Sequence, residues 1–282
     1  MVTFLNDFSR QLTKHDKDDK VIFAGDWHEQ FEFVDEILDE AKSKGVNLVI
    51  QVGDFTVREE LLYQHFLNFV NDKCIENDID IWIVGGNHDR WSYIQKLREE
   101  SENLTEPLRL RSNIWFLPRA YSFSLNDVSF VTFGGAATPR FKEYEPLGKW
   151  FASELATERE LEEAISFGEA DVLLMHDSGD IKYSTPTVAN IVTGNPNGIT
   201  AEGVEYATLS RDKCTKVIES CKPLAVVHGH YHKFDTSVIH VDGAKYETRV
   251  ISLAKAGMNG SIIELNFGEF KEDKRAMENG HE

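Results

Sequence analysis

Apolar and polar segments alternate regularly along the first part of the chain. Three runs rich in β-branched and aromatic residues end in glycine turns, which is typical of buried strands. Each run is followed by a segment whose apolar residues recur at helical spacing. The predicted strands are 20–26, 46–54 and 79–89, and the predicted helices are 33–45, 58–74 and 92–101. This alternation predicts parallel strands joined by crossover helices.

Strands become more frequent in the second part of the chain. They are predicted over 113–118, 122–125, 128–136, 170–177, 223–232, 236–241, 246–254 and 261–267, with helices over 158–168 and 210–221. The stretch from Pro186 to Gly203 is rich in Pro and Gly and is predicted to be a loop. Because no repeat or linker divides the chain, we predict one domain over 1–268 and a flexible charged tail over 269–282.

Polar residues cluster where five of these strands end, in the segments GDWH, GDF, GNHD, MHD and HGHYH. Groups placed just after strand C-termini converge on one edge of an open α/β sheet. The sequence therefore predicts one site. Its members are Asp26, His28, Asp54, Asn87, His88, Asp89, His176, His230 and His232.

The chemistry of this set favours divalent transition metals. It offers imidazoles, carboxylates and one amide but no thiolate, which suits Mn, Fe, Zn or Ni rather than a structural zinc. There are too many groups for one ion, and two ions that share a carboxylate fit the count better. Taken singly, each residue also has an ordinary interpretation as a helix cap or a turn residue. The whole set in order favours metal binding.

The ordered motifs D-x-H, G-D, G-N-H-D, H and G-H-x-H resemble those of the calcineurin-like metallophosphoesterases, in particular small single-domain bacterial and phage members. The resemblance runs from Asp26 to His232 and beyond into the later strands. It implies a four-layer αββα sandwich in which two mixed β-sheets are flanked by helices. A dinuclear metal site is expected at the C-terminal ends of the strands, with manganese first and iron, zinc or nickel as alternatives.

The resemblance also implies a division of roles within the site. The ligands form two sets joined by one bridging carboxylate: Asp26, His28 and His232 for one ion, Asn87, His176 and His230 for the other, and Asp54 for both. His88 is expected to donate a proton to the leaving oxygen or to stabilise the pentacoordinate phosphorus. Asp89 would orient and charge the His88 imidazole. The nucleophile would be a hydroxide that bridges the metals.

Other candidate residues surround this set. Arg140, Arg58 and Arg90 are candidates for binding the substrate phosphate, with Arg140 first because it follows the end of the FGGAATP strand. Taken singly, each is more simply explained as a solvated or salt-bridged arginine. Asp177 is either a support for the ligands or a cap. His228 is expected to lie outside the metal coordination, at most orienting a ligand. Trp27, Trp91, Tyr144 and Trp150 either line a pocket or pack in the core.

Composition narrows the class of substrate and the compartment. The 282 residues carry a formal net charge of −18, which argues against a broad surface for DNA binding. The three cysteines have no zinc-type spacing and are predicted to be reduced thiols, so a cytoplasmic location is expected. No segment has the pattern of a secretory signal or a membrane span. The sequence does not indicate an oligomeric state.

These observations together predict a metal-dependent phosphoesterase that hydrolyses a phosphomonoester or a phosphodiester. The partner would be a phosphorylated small molecule, a nucleotide or the end of a nucleic acid. A nuclease or a cyclic-nucleotide phosphodiesterase is the alternative within the enzymes. A non-catalytic scaffold that keeps the fold is a further alternative, but every ligand position is filled and His88 is present.

Overall fold

The computed structural model describes residues 8–102 and 104–279. Within these residues the strands are β1 (Lys20–Ala24), β2 (Leu48–Gln51), β3 (Asp80–Ile83), β4 (Leu108–Arg111), β5 (Ile114–Phe116), β6 (Ala120–Leu125), β7 (Val128–Phe133), β8 (Val172–Met175), β9 (Ala225–His228), β10 (Asp235–Ile239), β11 (Thr248–Ser252) and β12 (Ile262–Asn266). The helices are α1 (Phe8–His15), α2 (Phe31–Ser43), α3 (Leu61–Asn77), α4 (Trp91–Glu100), α5 (Phe141–Tyr144), α6 (Glu158–Ser166), α7 (Pro186–Gly194), α8 (Ala201–Cys221) and α9 (Phe267–Asn279). Short 3-10 turns occur at Glu145–Leu147, Ala152–Glu154 and Ile181–Tyr183.

The strands form two mixed sheets. In the first sheet the order is β12-β1-β2-β3-β5-β4, and in the second it is β10-β11-β9-β8-β7-β6. Each sheet has four central parallel strands, and an antiparallel strand lies at each edge. The parallel strands β1, β2 and β3 therefore end at one edge of their sheet, and β8 and β9 do the same in the other.

Three apolar layers hold the sandwich together. Side chains on the facing sides of the sheets, including Phe23, Trp82 and Phe130, form the middle layer. A second layer lies between the first sheet and helices α2, α3 and α4, and a third between the second sheet and helices α6 and α8. Alternate residues of a strand point to opposite faces, so neighbours such as Ile22 and Phe23 belong to different layers. The predicted four-layer αββα architecture is confirmed.

The segment predicted to be a loop between Pro186 and Gly203 contains helix structure instead. Helix α7 begins at Pro186, and the Thr185 hydroxyl accepts a hydrogen bond from the Val188 N–H at 3.4 Å. Helix α8 begins nine residues earlier than predicted, capped by Thr200. Proline in the first turn costs a helix nothing, because its missing N–H would have no partner there. The Pro and Gly content of this segment marks the helix ends.

The predicted charged tail is also wrong for residues 269–279, which lie in helix α9. The helix is anchored by the buried Phe267 and by an ion pair of 2.7 Å between Lys274 Nζ and Asp171 Oδ1. The boundary predicted at residue 268 falls inside this helix. The last part of the predicted tail, 280–282, lies outside the described residues.

Helix α1 is tied to the first sheet by a buried histidine. His15 lacks an obvious partner in the sequence, yet its Nδ1 lies 2.7 Å from Asp18 Oδ2 and its Nε2 lies 2.9 Å from Asp80 Oδ2. Burial lowers the pKa of His15, but the two carboxylates outweigh that effect and raise it. The three cysteines are buried as free thiols, and none of the described helices is long and apolar enough to span a membrane.

Candidate metal centre

The site-bearing loops leave the C-terminal ends of parallel strands in both sheets. Asp26 and His28 follow β1, Asp54 follows β2, Asn87 and His88 follow β3, His176 follows β8, and His230 and His232 follow β9. Four of these residues have positive φ values of 44° to 70°: His28, Asp54, His230 and His232. A side chain larger than glycine adopts this conformation at a cost, and such strain concentrates at functional sites. The loops therefore hold their side chains at the expense of backbone strain.

The first group of potential ligands consists of Asp26, His28, Asp54 and His232, whose donor atoms all lie within 4.8 Å of one another. The Nε2 atoms of His28 and His232 are 2.9 Å apart. Asp26 Oδ1 lies 3.6 Å from His232 Nε2, and Asp54 Oδ2 lies 3.7 Å from His28 Nε2. The donor atoms of two imidazoles and two carboxylates thus converge on one position, which suits a divalent transition metal.

The second group consists of Asp54, His176 and His230, again with donor atoms within 4.8 Å. His176 Nε2 lies 3.3 Å from Asp54 Oδ1 and 3.1 Å from Asn87 Oδ1. Asn87 therefore faces the same point as this second group. Asp54 belongs to both groups, which is the arrangement expected of a carboxylate that bridges two ions.

Hydrogen bonds from behind fix the orientation of several of these side chains. The ring Nδ1 of His176 lies 2.8 Å from the Val52 carbonyl oxygen. Because a carbonyl can only accept, Nδ1 carries a proton and Nε2 is the ring nitrogen that faces the site. The backbone N–H of His230 donates to the Asp26 carboxylate at 3.1 Å.

A buried chain of polar groups supports Asn87, and it is not evident in the sequence. The Asn87 amide nitrogen donates to Thr138 Oγ1 at 2.9 Å, and Thr138 Oγ1 in turn donates to Glu154 Oε2 at 2.7 Å. Burial raises the pKa of Glu154 to about 7, although hydrogen bonds from Thr138 and Trp150 oppose the rise. Because the amide nitrogen is engaged, the amide oxygen faces the second group.

The electrostatics of the site favour a cation. Burial lowers the pKa of His28, His230 and His232 to about 4 each, so their imidazoles are neutral and offer lone pairs at neutral pH. Burial opposes ionisation of Asp54, but His176 and His88 hold its pKa well below the usual range. Burial likewise lowers the pKa of His176, yet Asp54 and other acceptors raise it to about 10. The carboxylates that attract a proton to His176 would attract a metal ion in the same way.

His88 lies beside the two groups rather than within either. Its side chain is exposed, and its ring centroid is 5.0 Å from that of His28. Its backbone N–H donates to Asp54 Oδ1 at 2.8 Å, which fixes that carboxylate. The ring of His88 is therefore accessible from the cavity that it lines.

Asp89 does not orient this ring, contrary to the prediction from adjacency. Its carboxylate is buried and accepts the backbone N–H groups of Val57 and Gly86, each at 2.7 Å. Burial, reinforced by the charge of Asp54, raises the pKa of Asp89. Asp89 thus ties the loop after β2 to the loop after β3, and its contribution to the site is structural.

A cavity of about 540 Å³ opens beside the metal groups, and Asn87, His88, His230 and His232 form part of its wall. Of the three candidate arginines, only Arg140 lines it. The Arg140 guanidinium is held by Glu143 Oε1 at 3.0 Å and by the Asn197 carbonyl at 2.7 Å.

The other two candidate arginines, Arg58 and Arg90, do not line this cavity, and their part in binding substrate stays a prediction. Arg90 forms ion pairs with Glu59 and Glu60 on the protein surface. Arg58 Nε donates to the His88 carbonyl oxygen at 2.8 Å and so supports the loop that carries His88.

The remaining candidate residues lie either in the wall of the cavity or in the buried interior. Asp177 lines the cavity, and its Oδ1 accepts the Tyr231 hydroxyl at 2.9 Å and the Ser178 N–H at 2.8 Å. His228 is buried outside both donor groups, with Nδ1 3.1 Å from the Gly229 carbonyl oxygen. Tyr144 lines the cavity, whereas Trp27 and Trp91 are core residues and Trp150 donates to Glu154. The sequence pattern did not single out the cavity residues Thr138, Arg211, Tyr231 and Lys233.

Comparisons with known proteins bear on the fold and the family. A structure of a dimetal phosphatase from Danio rerio has a TM-score of 0.51 and 12% sequence identity, and the match covers 84% of this chain and 88% of that one. A structure of the protein TT1561 from Thermus thermophilus has a TM-score of 0.47 and 9% identity, covering 88% of this chain and 99% of the other. The sequence matches no curated protein. The family model described as calcineurin-like phosphoesterase matches residues 19–234, and the chain belongs to that family.

Proposed function

We propose that the protein is a two-metal phosphoesterase that hydrolyses a phosphomonoester or a phosphodiester. The observation that carries this proposal is the pair of donor groups that share Asp54 beside a cavity of about 540 Å³. The family supports the same reaction class, and the similar Danio rerio structure is described as a dimetal phosphatase. A cavity of this size holds a small phosphorylated molecule or the end of a nucleotide chain.

The ligand sets follow from the two groups. Asp26, His28 and His232 would hold one ion, Asn87, His176 and His230 the other, and Asp54 both. The nitrogen and oxygen donors, without thiolate, suit Mn, Fe, Zn or Ni, and we propose manganese as the first to test. When bound, the two ions would activate a water as nucleophile and neutralise the phosphate oxygens.

His88 is proposed to act on the leaving group. Its exposed ring stands next to His28, where a phosphate above the metals would place its ester oxygen. A protonated ring nitrogen could donate to that oxygen as the ester bond breaks, or hydrogen-bond to the charge that develops at phosphorus. Arg58, through the His88 carbonyl, and Asp54, through the His88 N–H, hold the loop in place.

Metal content together with hydrolysis tests the reaction class. Protein purified without chelator should carry about two equivalents of transition metal, or acquire them on addition of Mn. The metal-loaded protein should hydrolyse p-nitrophenyl phosphate or bis(p-nitrophenyl) phosphate, and dialysis against a chelator should abolish that activity until Mn is restored. Less than about one equivalent of bound metal, with no hydrolysis of either ester, would contradict the proposal.

The roles of the histidines are separable by substitution. His88→Asn should lower kcat by about 10²- to 10⁴-fold while metal content stays near that of the wild type, because His88 lies outside both donor groups. His232→Asn should lose metal from the first group as well as activity. His240→Asn changes an exposed histidine that belongs to neither donor group nor the cavity wall, so it is the control and should change neither quantity. Equal loss of metal in His88→Asn and His232→Asn would refute the assignment.

A further inference from the structure

Arg211 on helix α8 lines the same cavity as the metal groups and is only 6% exposed. Its Nη2 donates to Thr208 Oγ1 at 2.9 Å, while its Nε is buried and has no hydrogen-bond partner among the described residues. A guanidinium has five N–H donors in a planar fork, so most of its capacity to donate is unused. Burying an unpaired cation is costly, which is why buried arginines are normally matched by an anion.

The protein itself does not provide that anion within the described residues. No carboxylate in the described chain lies within 4.0 Å of the Arg211 guanidinium, although Asp177 lines the same cavity. One oxygen of Asp177 is already occupied by Tyr231 and Ser178. Asp177 therefore offsets part of the positive charge of Arg211 from a distance, but it does not pair with the N–H donors of the guanidinium.

The charge of the cavity differs from that of the whole chain. The chain has a formal net charge of −18, yet Arg140, Arg211 and Lys233 all line this cavity. Apart from Asp54, which belongs to both donor groups, Asp177 is the acidic residue in its lining. Arg140 is already engaged by Glu143 and Asn197, so the unpaired and buried cation is Arg211.

Part of the cavity wall is apolar. Helix α7, the loop after it and the first half of α8 supply Ile191, Val192, Ile199, Val204 and Ala207. Such a wall suits the carbon skeleton of a small molecule, and the polar residues Tyr144, Asn195 and Asn197 line the same cavity. The cavity thus combines the metal groups at one side with an apolar wall and a buried guanidinium. A ligand that fits it carries an anion at each of two positions.

Building on the proposed phosphoesterase activity, we propose that the substrate is a phosphate ester whose organic part carries a second anionic group, a carboxylate or a phosphate, and that Arg211 binds that group. Arg211 is then a specificity-determining residue. Carboxylate and phosphate oxygens match the guanidinium fork in pairs, and a buried site strengthens each charge-assisted hydrogen bond. A neutral ester of the same length would leave the guanidinium unpaired and bind less tightly.

Matched non-hydrolysable analogues test this directly. The probes are ω-phosphonocarboxylates with two to five methylene groups and the alkylphosphonates of the same chain length. Dissociation constants are measured by calorimetry on the Mn-loaded protein, so that the readout does not depend on turnover. At one chain length or more, the wild type should bind the carboxylated analogue at least about tenfold more tightly, which corresponds to about 1.4 kcal/mol.

The variants separate Arg211 from other causes of such a preference. Arg211→Met should abolish the preference for the carboxylated analogue, and the alkylphosphonate should bind at least as tightly as to the wild type because no guanidinium is left unpaired. An apolar side chain of similar length replaces a buried charge without a folding penalty in many proteins, and Arg211→Gln is the second variant if needed. Lys216→Gln removes one positive charge from an exposed position on the same helix and should keep the wild-type preference.

Two results would overturn the proposal. The first is equal affinity of the wild type for the charged and uncharged analogues at every chain length. The second is a preference that survives in Arg211→Met, since the carboxylate would then be bound by the metals, Arg140 or Lys233. Failure of the proposed function is distinguishable from either, because it appears as missing metal binding and missing hydrolysis of p-nitrophenyl phosphate before any analogue is compared.

Discussion

Replacing Gly53 by alanine tests how the second donor group is built. Gly53 lies between strand β2 and Asp54 and has a φ of +101°. A Cβ at this position would overlap the imidazole of His176, at Nδ1 and Cγ. The backbone here passes so close to the ligand ring that only a residue without a side chain fits. We therefore expect Gly53→Ala to displace His176 and weaken metal binding in the second group.

The loss of unfolding free energy in Gly53→Ala has two parts, the cost of the backbone conformation and the cost of disturbing His176. A matched glycine substitution separates them. Alanine in a left-handed conformation costs about 1–2 kcal/mol relative to glycine. Gly168 also has a positive φ, of +72°, but a Cβ added there would meet no atom within 4 Å. Gly168→Ala therefore carries the backbone cost alone. Gly53→Ala adds the loss of the bond between His176 Nδ1 and the Val52 carbonyl, worth about 0.5–1.5 kcal/mol, and the overlap itself.

The assay combines urea unfolding of the metal-free proteins with metal analysis of the Mn-loaded ones. Gly53→Ala should lose at least about 1 kcal/mol more than Gly168→Ala in the free energy of unfolding, and should bind about one equivalent of metal fewer. Gly168→Ala should retain the metal content of the wild type. If both variants are destabilised equally and both retain full metal content, the close approach of Gly53 to His176 does not position the ligand.

Two further substitutions test supporting contacts. Thr138→Val removes both hydrogen bonds that link Asn87 to Glu154. It should weaken metal binding about 10- to 100-fold, measured by titration with Mn. The control is Thr132→Val, at a buried threonine on β7 with only long hydrogen bonds to carbonyls, and it should not weaken metal binding. His15→Gln should destabilise the protein most below about pH 6.5, and the difference in urea midpoint from the wild type should shrink as the pH rises through the raised pKa of His15 in the folded state. A difference that is constant from pH 5 to 9, or that grows with pH, would show that the charged form of His15 is not what the carboxylates stabilise.

The metal side of the site could be predicted because each of its residues directly follows a strand. A buried strand is recognisable from its apolar run, and the parallel arrangement follows from the alternation with helices. Strand ends then place Asp26, Asp54 and Asn87 at one edge of the first sheet, and His176 at the corresponding edge of the second. The structure brings these residues together, and the family resemblance is what divided them into two ligand sets.

Features that depend on packing between distant segments could not be predicted in this way. His15 has two carboxylate partners, of which Asp80 is 65 positions away in the sequence. Helix α9 is held by Phe267 and Lys274 against other elements, and its own residues show no clear apolar period. Asp89 is adjacent to His88, but its side chain turns inward to two backbone amides while that of His88 is exposed. Adjacency in a tight turn does not imply contact between side chains.

The reaction class is easier to infer from the sequence than the substrate is, because residues that follow strands can be recognised there and contacts between distant segments cannot. The metal ligands lie on strand-end loops, whereas the wall of the cavity comes from α7, α8 and the loop between them, a stretch whose Pro and Gly content suggested irregular structure. On α8, Arg211 is one charged residue among several, and only the fold shows that it is buried in the wall of the cavity rather than solvated like Lys216. Substrate preference should therefore respond to substitutions in α7 and α8 that leave metal content unchanged. Substitutions in the strand-end loops should alter metal content and the hydrolysis of every ester together.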